Sequence, residues 1–130
     1  MLAHLWLGLG RWASAKGLSS VAESCYRIAS EGGGSVSAEA LLDLGKSQSA
    51  KERFDEATAT LLQASKHAPR LARVWCALGV AYRRSADMPA ARDAYERALE
   101  IDPNYQDART NLGEWHLVSG NPQLALQCFD

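Results

Sequence analysis

The sequence has no excess of basic charge: 14 Lys plus Arg stand against 15 Asp plus Glu, a formal net charge of −1 over 130 residues. Such a chain has no field to concentrate nucleic acid or anionic lipid, so a charged partner has to be met by a local patch. Cysteine is scarce as well. Cys25, Cys76 and Cys128 are odd in number, far apart and free of CxxC spacing, which argues against a disulfide framework or a zinc site and for a reducing compartment. No apolar run approaches the roughly 20 residues a membrane helix needs, so membrane insertion is not expected. Leu2 to Gly10 is apolar and Ala13-Ser14-Ala15 looks like a signal-peptidase site, but no Lys or Arg precedes the stretch and His4 lies inside it. A cytoplasmic location is therefore expected.

Signatures of catalysis are also missing. Gly8-Leu9-Gly10-Arg11-Trp12-Ala13 fits a GxGxxA dinucleotide fingerprint, yet no strand precedes it and its glycines fall inside a helical stretch. His4, His67 and His116 have no second ligand or carboxylate at a helical spacing that would single them out. No serine sits in a GxSxG elbow and no cysteine in a nucleophile motif. The expectation is no enzyme, no cofactor and no metal.

What is present is a globular composition, 47% hydrophobic and 22% charged, organised by a period of 34 residues. The clearest unit runs from Ala72 to Tyr105. Trp75, Leu78, Gly79 and Tyr82 form one helical stripe and Ala91, Tyr95 and Ala98 a second. Between them lie Asp87, able to cap a helix, and Pro89, tolerated only in a first turn. The second helix should end near Asp102-Pro103. One period earlier, Leu44-Gly45, Ala57, Leu61, Ala64 and Pro69 fill the same slots, and one period later Leu112-Gly113, Ala125 and Phe129 do so.

The first unit aligns through Trp6, Leu9-Gly10, Gly17, Ala22, Tyr26 and Ala29, with Ser37 as one extra residue. Ser20 and Glu23 form a capping-box pattern at its second helix. Gly32-Gly33-Gly34 stands where other complete units have proline, which marks this junction as the loosest. The four tryptophans, Trp6, Trp12, Trp75 and Trp115, read as packing residues rather than base-stacking ones, with Trp6 and Trp75 in the recurring core slot.

This pattern resembles the tetratricopeptide repeat. The departures are Glu52 for the turn glycine, Arg109 in the slot of Trp75 and His116 in the slot of Tyr82. The 34-residue spacing, the Gly/Ala/Tyr/Pro slots and the near-neutral charge disfavour the RNA-reading pentatricopeptide repeat. The resemblance implies an all-α solenoid of antiparallel helix-turn-helix hairpins wound as a right-handed superhelix. It implies one domain over residues 1–130, with repeats at 3–36, 38–71, 72–105 and 106–130, the last incomplete.

The resemblance also implies a scaffold whose first helices line a concave, partner-binding groove. Carried over by position, the groove presents Leu42, Asp43 and Lys46; Arg73, Cys76, Ala77, Val80, Arg83 and Arg84; and Asp107, Thr110, Asn111 and Glu114, with Leu7, Arg11 and Ser14 from the first unit. Arg73, Arg83 and Arg84 make a basic cluster that suits a protein or peptide segment with acidic residues. Leu7, Asp43 and Ala77 stand where family members that clamp two carboxylates carry lysine, asparagine and arginine, so that clamp is not expected. Two further expectations are self-association through an exposed C-terminal hairpin and, as the alternative reading, a substrate-recruiting or oligomerisation segment of a larger polypeptide, an enzyme among the options.

Overall fold

The structure, a computed structural model, describes residues 2–130. Among them are eight α-helices and no strand: α1 (Leu2–Ala15), α2 (Ser19–Ser30), α3 (Gly34–Ala50), α4 (Phe54–His67), α5 (Ala72–Arg84), α6 (Met88–Ile101), α7 (Gln106–Val118) and α8 (Pro122–Phe129). They form two compact units, Met1–Pro69 and Arg70–Asp130, each of two helical hairpins. The division falls between Pro69 and Arg70, not at the glycine run of residues 32–34. There α3 begins already at Gly34, so the extra residue Ser37 lies inside a helix. Ser37 is fully buried and its hydroxyl donates to the Ser30 carbonyl, tying the junction that the glycines mark as loose.

One turn closes every hairpin. The N–H groups of Leu18, Arg53, Asp87 and Asn121 donate to the carbonyls of Ala13, Gln48, Tyr82 and His116 at 2.8, 2.9, 2.9 and 2.8 Å. This bond spans five residues and closes a helix end at which the second residue past the helix turns left-handed. Those residues are Gly17, Glu52, Ala86 and Gly120, at φ 79°, 63°, 69° and 84°. The turn thus imposes its geometry even where glycine is absent.

Past the turn, Asp87 caps α6 by accepting the Ala90 N–H at 3.2 Å, with Pro89 in the first turn, and α6 stops at Ile101 before Asp102-Pro103. The capping box expected at Ser20 and Glu23 does not form. Helix α2 starts two residues earlier than that box requires, at Ser19, with Leu18 in the cap position and no side-chain cap. Glu23 is buried instead, and its Oε1 accepts from Lys51 Nζ at 3.1 Å and Arg53 Nη1 at 2.9 Å. Two cations outcompete one backbone N–H for the carboxylate.

Each hairpin closes on a small residue at the helix crossing: Ala22, Ala57, Ala91 and Ala125 are all 1% exposed or less. In the first unit Leu7, Ala13, Tyr26, Ala29, Ala40 and Leu44 share a core, with Trp6 packed at its rim. In the second, Ala72, Cys76, Tyr95, Ala98, Ala108 and Leu112 do so, with Trp75 at the rim. The recurring tryptophan slot is therefore half-buried, and the deepest large side chain is Tyr95.

Candidate functional site

Charged side chains link the first helices within each unit. Arg11 of α1 donates through Nε to Asp43 Oδ2 at 2.8 Å and through Nη2 to Glu39 Oε2 at 3.4 Å, both on α3. The bond to Asp43, aided by both carboxylate charges, outweighs desolvation and holds the Arg11 guanidinium above its usual range. In the second unit Arg83 of α5 donates to Glu114 of α7 at 3.0 Å. Each rung thus joins one first helix to the next across its own unit.

These rungs rearrange the surface read from the sequence. Arg83 is engaged by Glu114, whereas Arg73 is exposed and has no ion pair among the described residues. Arg73 and Arg84, both exposed, lie about 16 Å apart along α5 at 1.5 Å per residue, so the three arginines do not form one compact patch. Leu42, at 1% exposed, and Cys76, at 5%, are buried, as is Leu7 at 3%. They offer no surface to a partner. Cys76 Sγ accepts from Asn111 Nδ2 at 3.5 Å. Ala77, Val80, Thr110 and Asn111 are half-buried, and Lys46, Asp107 and Glu114 are exposed.

In the first unit the first-helix side opens into a cleft of about 480 Å³. Ser14, Ser19 and Tyr26 line it from α1 and α2; Asp43, Lys46, Ser47 and Ala50 of α3 and Lys51 line it from the other side. Burial, then the Asp43 charge, push the Tyr26 hydroxyl above its ordinary pKa, against a hydrogen bond with Ser14. Lys51 is held by Glu23, whereas Lys46 has no ion pair among the described residues. Hydroxyls beside an ammonium supply what an extended segment's carbonyls and carboxylates need. Of this lining, Ser14, Asp43 and Lys46 are groove positions legible in the sequence. Ser19, Tyr26, Ser47, Ala50 and Lys51 are not, because the groove slots of the repeat leave out second-helix and turn residues and the far side of each first helix.

Among the described residues no group of His, Cys, Asp and Glu is placed to hold a metal ion, and no helix is long and apolar enough to cross a membrane. The tetratricopeptide repeat family model matches residues 37–104, more than half of the chain. The chain belongs to the tetratricopeptide repeat family. As a tetratricopeptide repeat protein it is an interaction scaffold for protein partners in the general sense, and such repeats are typically non-catalytic.

Many solved structures share the fold, among them the following three. The crystal structure of MamA matches with a TM-score of 0.83 at 23% identity, over 98% of this chain and 74% of that one. A tetratricopeptide repeat protein from Parabacteroides merdae matches with a TM-score of 0.85 at 20% identity, over 98% and 51%. Pseudomonas aeruginosa pilF matches with a TM-score of 0.85 at 21% identity, over 98% and 58%. Identities this low establish the fold alone, and the chain spans only about half the length of the last two. None of the curated proteins matches the chain by sequence. The carboxylate-clamp slots remain unsuited to that role: Leu7 is core, Asp43 is tied to Arg11, and Ala77 carries no charge.

Proposed function

We propose that this tetratricopeptide repeat protein holds an extended, acidic segment of a partner protein on its first-helix surfaces, anchored in the cleft of the first unit. Lys46 carries the reading: an exposed ammonium with no ion pair among the described residues lines a cleft beside the Ser14, Ser47 and Tyr26 hydroxyls. Exposed Arg73 and Arg84 of α5 give the second unit a basic surface of its own, with half-buried Ala77 and Val80 on the same helix and half-buried Asn111 on α7. The buried Cys25 and Cys76 thiols and half-buried Cys128, none of them in a disulfide, fit a reducing, cytoplasmic setting. A second reading, a recruiting segment within a larger polypeptide, rests on the partial coverage of the longer matched chains and uses the same surface.

Fluorescence anisotropy with labelled acidic, neutral and basic peptides tests this. Acidic peptides should bind preferentially, and Lys46→Glu should weaken them roughly tenfold, the loss of one charge-assisted contact. Lys66→Glu, the same charge change on α4 of the same unit, should not. Equal binding of acidic and basic peptides, or equal effects of the two variants, contradicts the reading.

A further inference from the structure

Leu2, Leu5, Leu9 and Trp12 share one face of α1 and are 69%, 69%, 44% and 54% exposed. An end repeat that closed the array would carry polar residues there. In repeat register, Leu5 corresponds to Ala40 and Ala108, and Leu9 to Leu44 and Leu112. Those four are 0%, 0%, 4% and 7% exposed, each in the core its helix shares with the preceding hairpin of its own unit. Helix α1 thus presents the interface side chains of an internal repeat.

Helix α8 is exposed in the complementary sense. Phe129 occupies the slot of Tyr26 and Tyr95, yet it is 44% exposed where they are 4% and 0%. Leu126 beside it is 64% exposed, and α8 contains no charged residue.

The second unit contains the contact that would join these ends. Trp115 Nε1 donates to the Met88 carbonyl at 2.8 Å, and the Arg92 guanidinium covers the indole at 5.5 Å. Trp12 is the register counterpart of Trp115, Pro122 that of Met88, and Leu126 that of Arg92. An arginine over an internal indole has become a leucine, which suits an apolar contact between two hydrophobic faces.

We propose that copies of this chain associate head to tail, the exposed face of α1 in one copy docking on α7 and α8 of another. Trp12 donates to the Pro122 carbonyl of that copy and packs on its Leu126. The occupant is a second copy because the chain carries both halves of a contact it already makes within its second unit. The interface is heterologous and does not close, so assembly continues past the dimer. It leaves the peptide cleft free and stands independently of the proposed function.

Sedimentation velocity over a concentration series tests the assignment. The wild-type mass should climb with concentration without a dimer plateau. Trp12→Arg and Leu126→Arg, both at exposed positions, should each stay monomeric with unchanged circular dichroism. Mixed in equal amounts they should form one-to-one dimers and nothing larger, because one variant keeps a sound tail and the other a sound head. A wild-type chain that stays monomeric or stops at a dimer overturns the proposal. So does either variant assembling alone, or a mixture that remains monomeric.

Discussion

Gly79 lies directly against the ring of Tyr95: a Cβ on Gly79 would fall 2.4 Å from Cε1 and 2.5 Å from Cδ1. The same relation recurs between Gly10 and Tyr26, Gly45 and Leu61, and Gly113 and Phe129, each at 2.6 Å. The first helix of every hairpin gives up its side chain so that the second helix can seat a large one.

Gly79→Ala should therefore destabilise the chain by about 1–2 kcal/mol, since overpacking against a ring with no exposed surface outweighs alanine's helix preference. Gly8, in the middle of α1, has nothing within 4 Å of the point where a Cβ would sit, so Gly8→Ala should stabilise by about 0.5–1 kcal/mol. Urea midpoints that shift in the same direction for both variants would contradict the close-approach account.

The hairpin turns offer a test of opposite sign. Ala86 is held at φ 69° where a side chain is strained by about 1–2 kcal/mol, so Ala86→Gly should raise stability by about 0.5–1 kcal/mol after the entropy of the unfolded glycine is subtracted. Gly120→Ala, at φ 84°, should lower it. Thermal melts of the two variants read this directly.

Trp75 and Ala91 separate rim from core. Trp75 is half-buried with the Arg97 guanidinium 5.8 Å from its ring centroid, so Trp75→Ala should cost less than the ~3–5 kcal/mol of a fully buried aromatic. Ala91 is 0% exposed at the α5–α6 crossing, and Ala91→Leu should cost about 1–3 kcal/mol. Denaturant midpoints measure both, and a loss for Trp75→Ala as large as that of a core aromatic would contradict its place at the rim.

Burial drives the Tyr95 hydroxyl to a pKa of about 12, and the hydroxyl has no hydrogen-bond partner among the described residues. Tyr105 is likewise pushed up to about 12, chiefly by burial. The folded values exceed the ordinary tyrosine value of 10.0, so this contribution to stability is complete below pH 10 and is lost as pH rises toward 12. Tyr95→Phe should stabilise at neutral pH by about 1 kcal/mol, by removing an unsatisfied buried hydroxyl, and should flatten the alkaline decline. Denaturant titrations between pH 7 and 11 measure both effects.

The hairpins are legible in the sequence because their determinants are local. Gly45 with Leu61, Gly79 with Tyr95, and Asp87 followed by Pro89 are set by spacing within one repeat. What escapes a sequence reading depends on partners distant in the chain. Glu23 has the spacing of a cap residue, but Lys51 and Arg53, which claim it, arrive from the α3–α4 turn. Leu42 and Cys76 sit at first-helix positions assigned to the groove, but the apolar side chain of one and the thiol of the other are drawn inward. Arg83 reads as part of a cluster, yet Glu114 on the next first helix pairs with it. The cleft is only partly visible, since Tyr26 reads as a core filler and its hydroxyl edge shows only once α3 is in place.

The binding reading stands or falls on where an acidic segment settles. Titrating the isotope-labelled chain with an acidic peptide that scores in the anisotropy panel, and following amide chemical shifts, locates it directly. The account predicts the largest and saturable changes at Ser14, Tyr26, Lys46 and Ser47, with α4 left nearly still. Changes confined to α4 or α8, with the cleft residues unmoved, would contradict it.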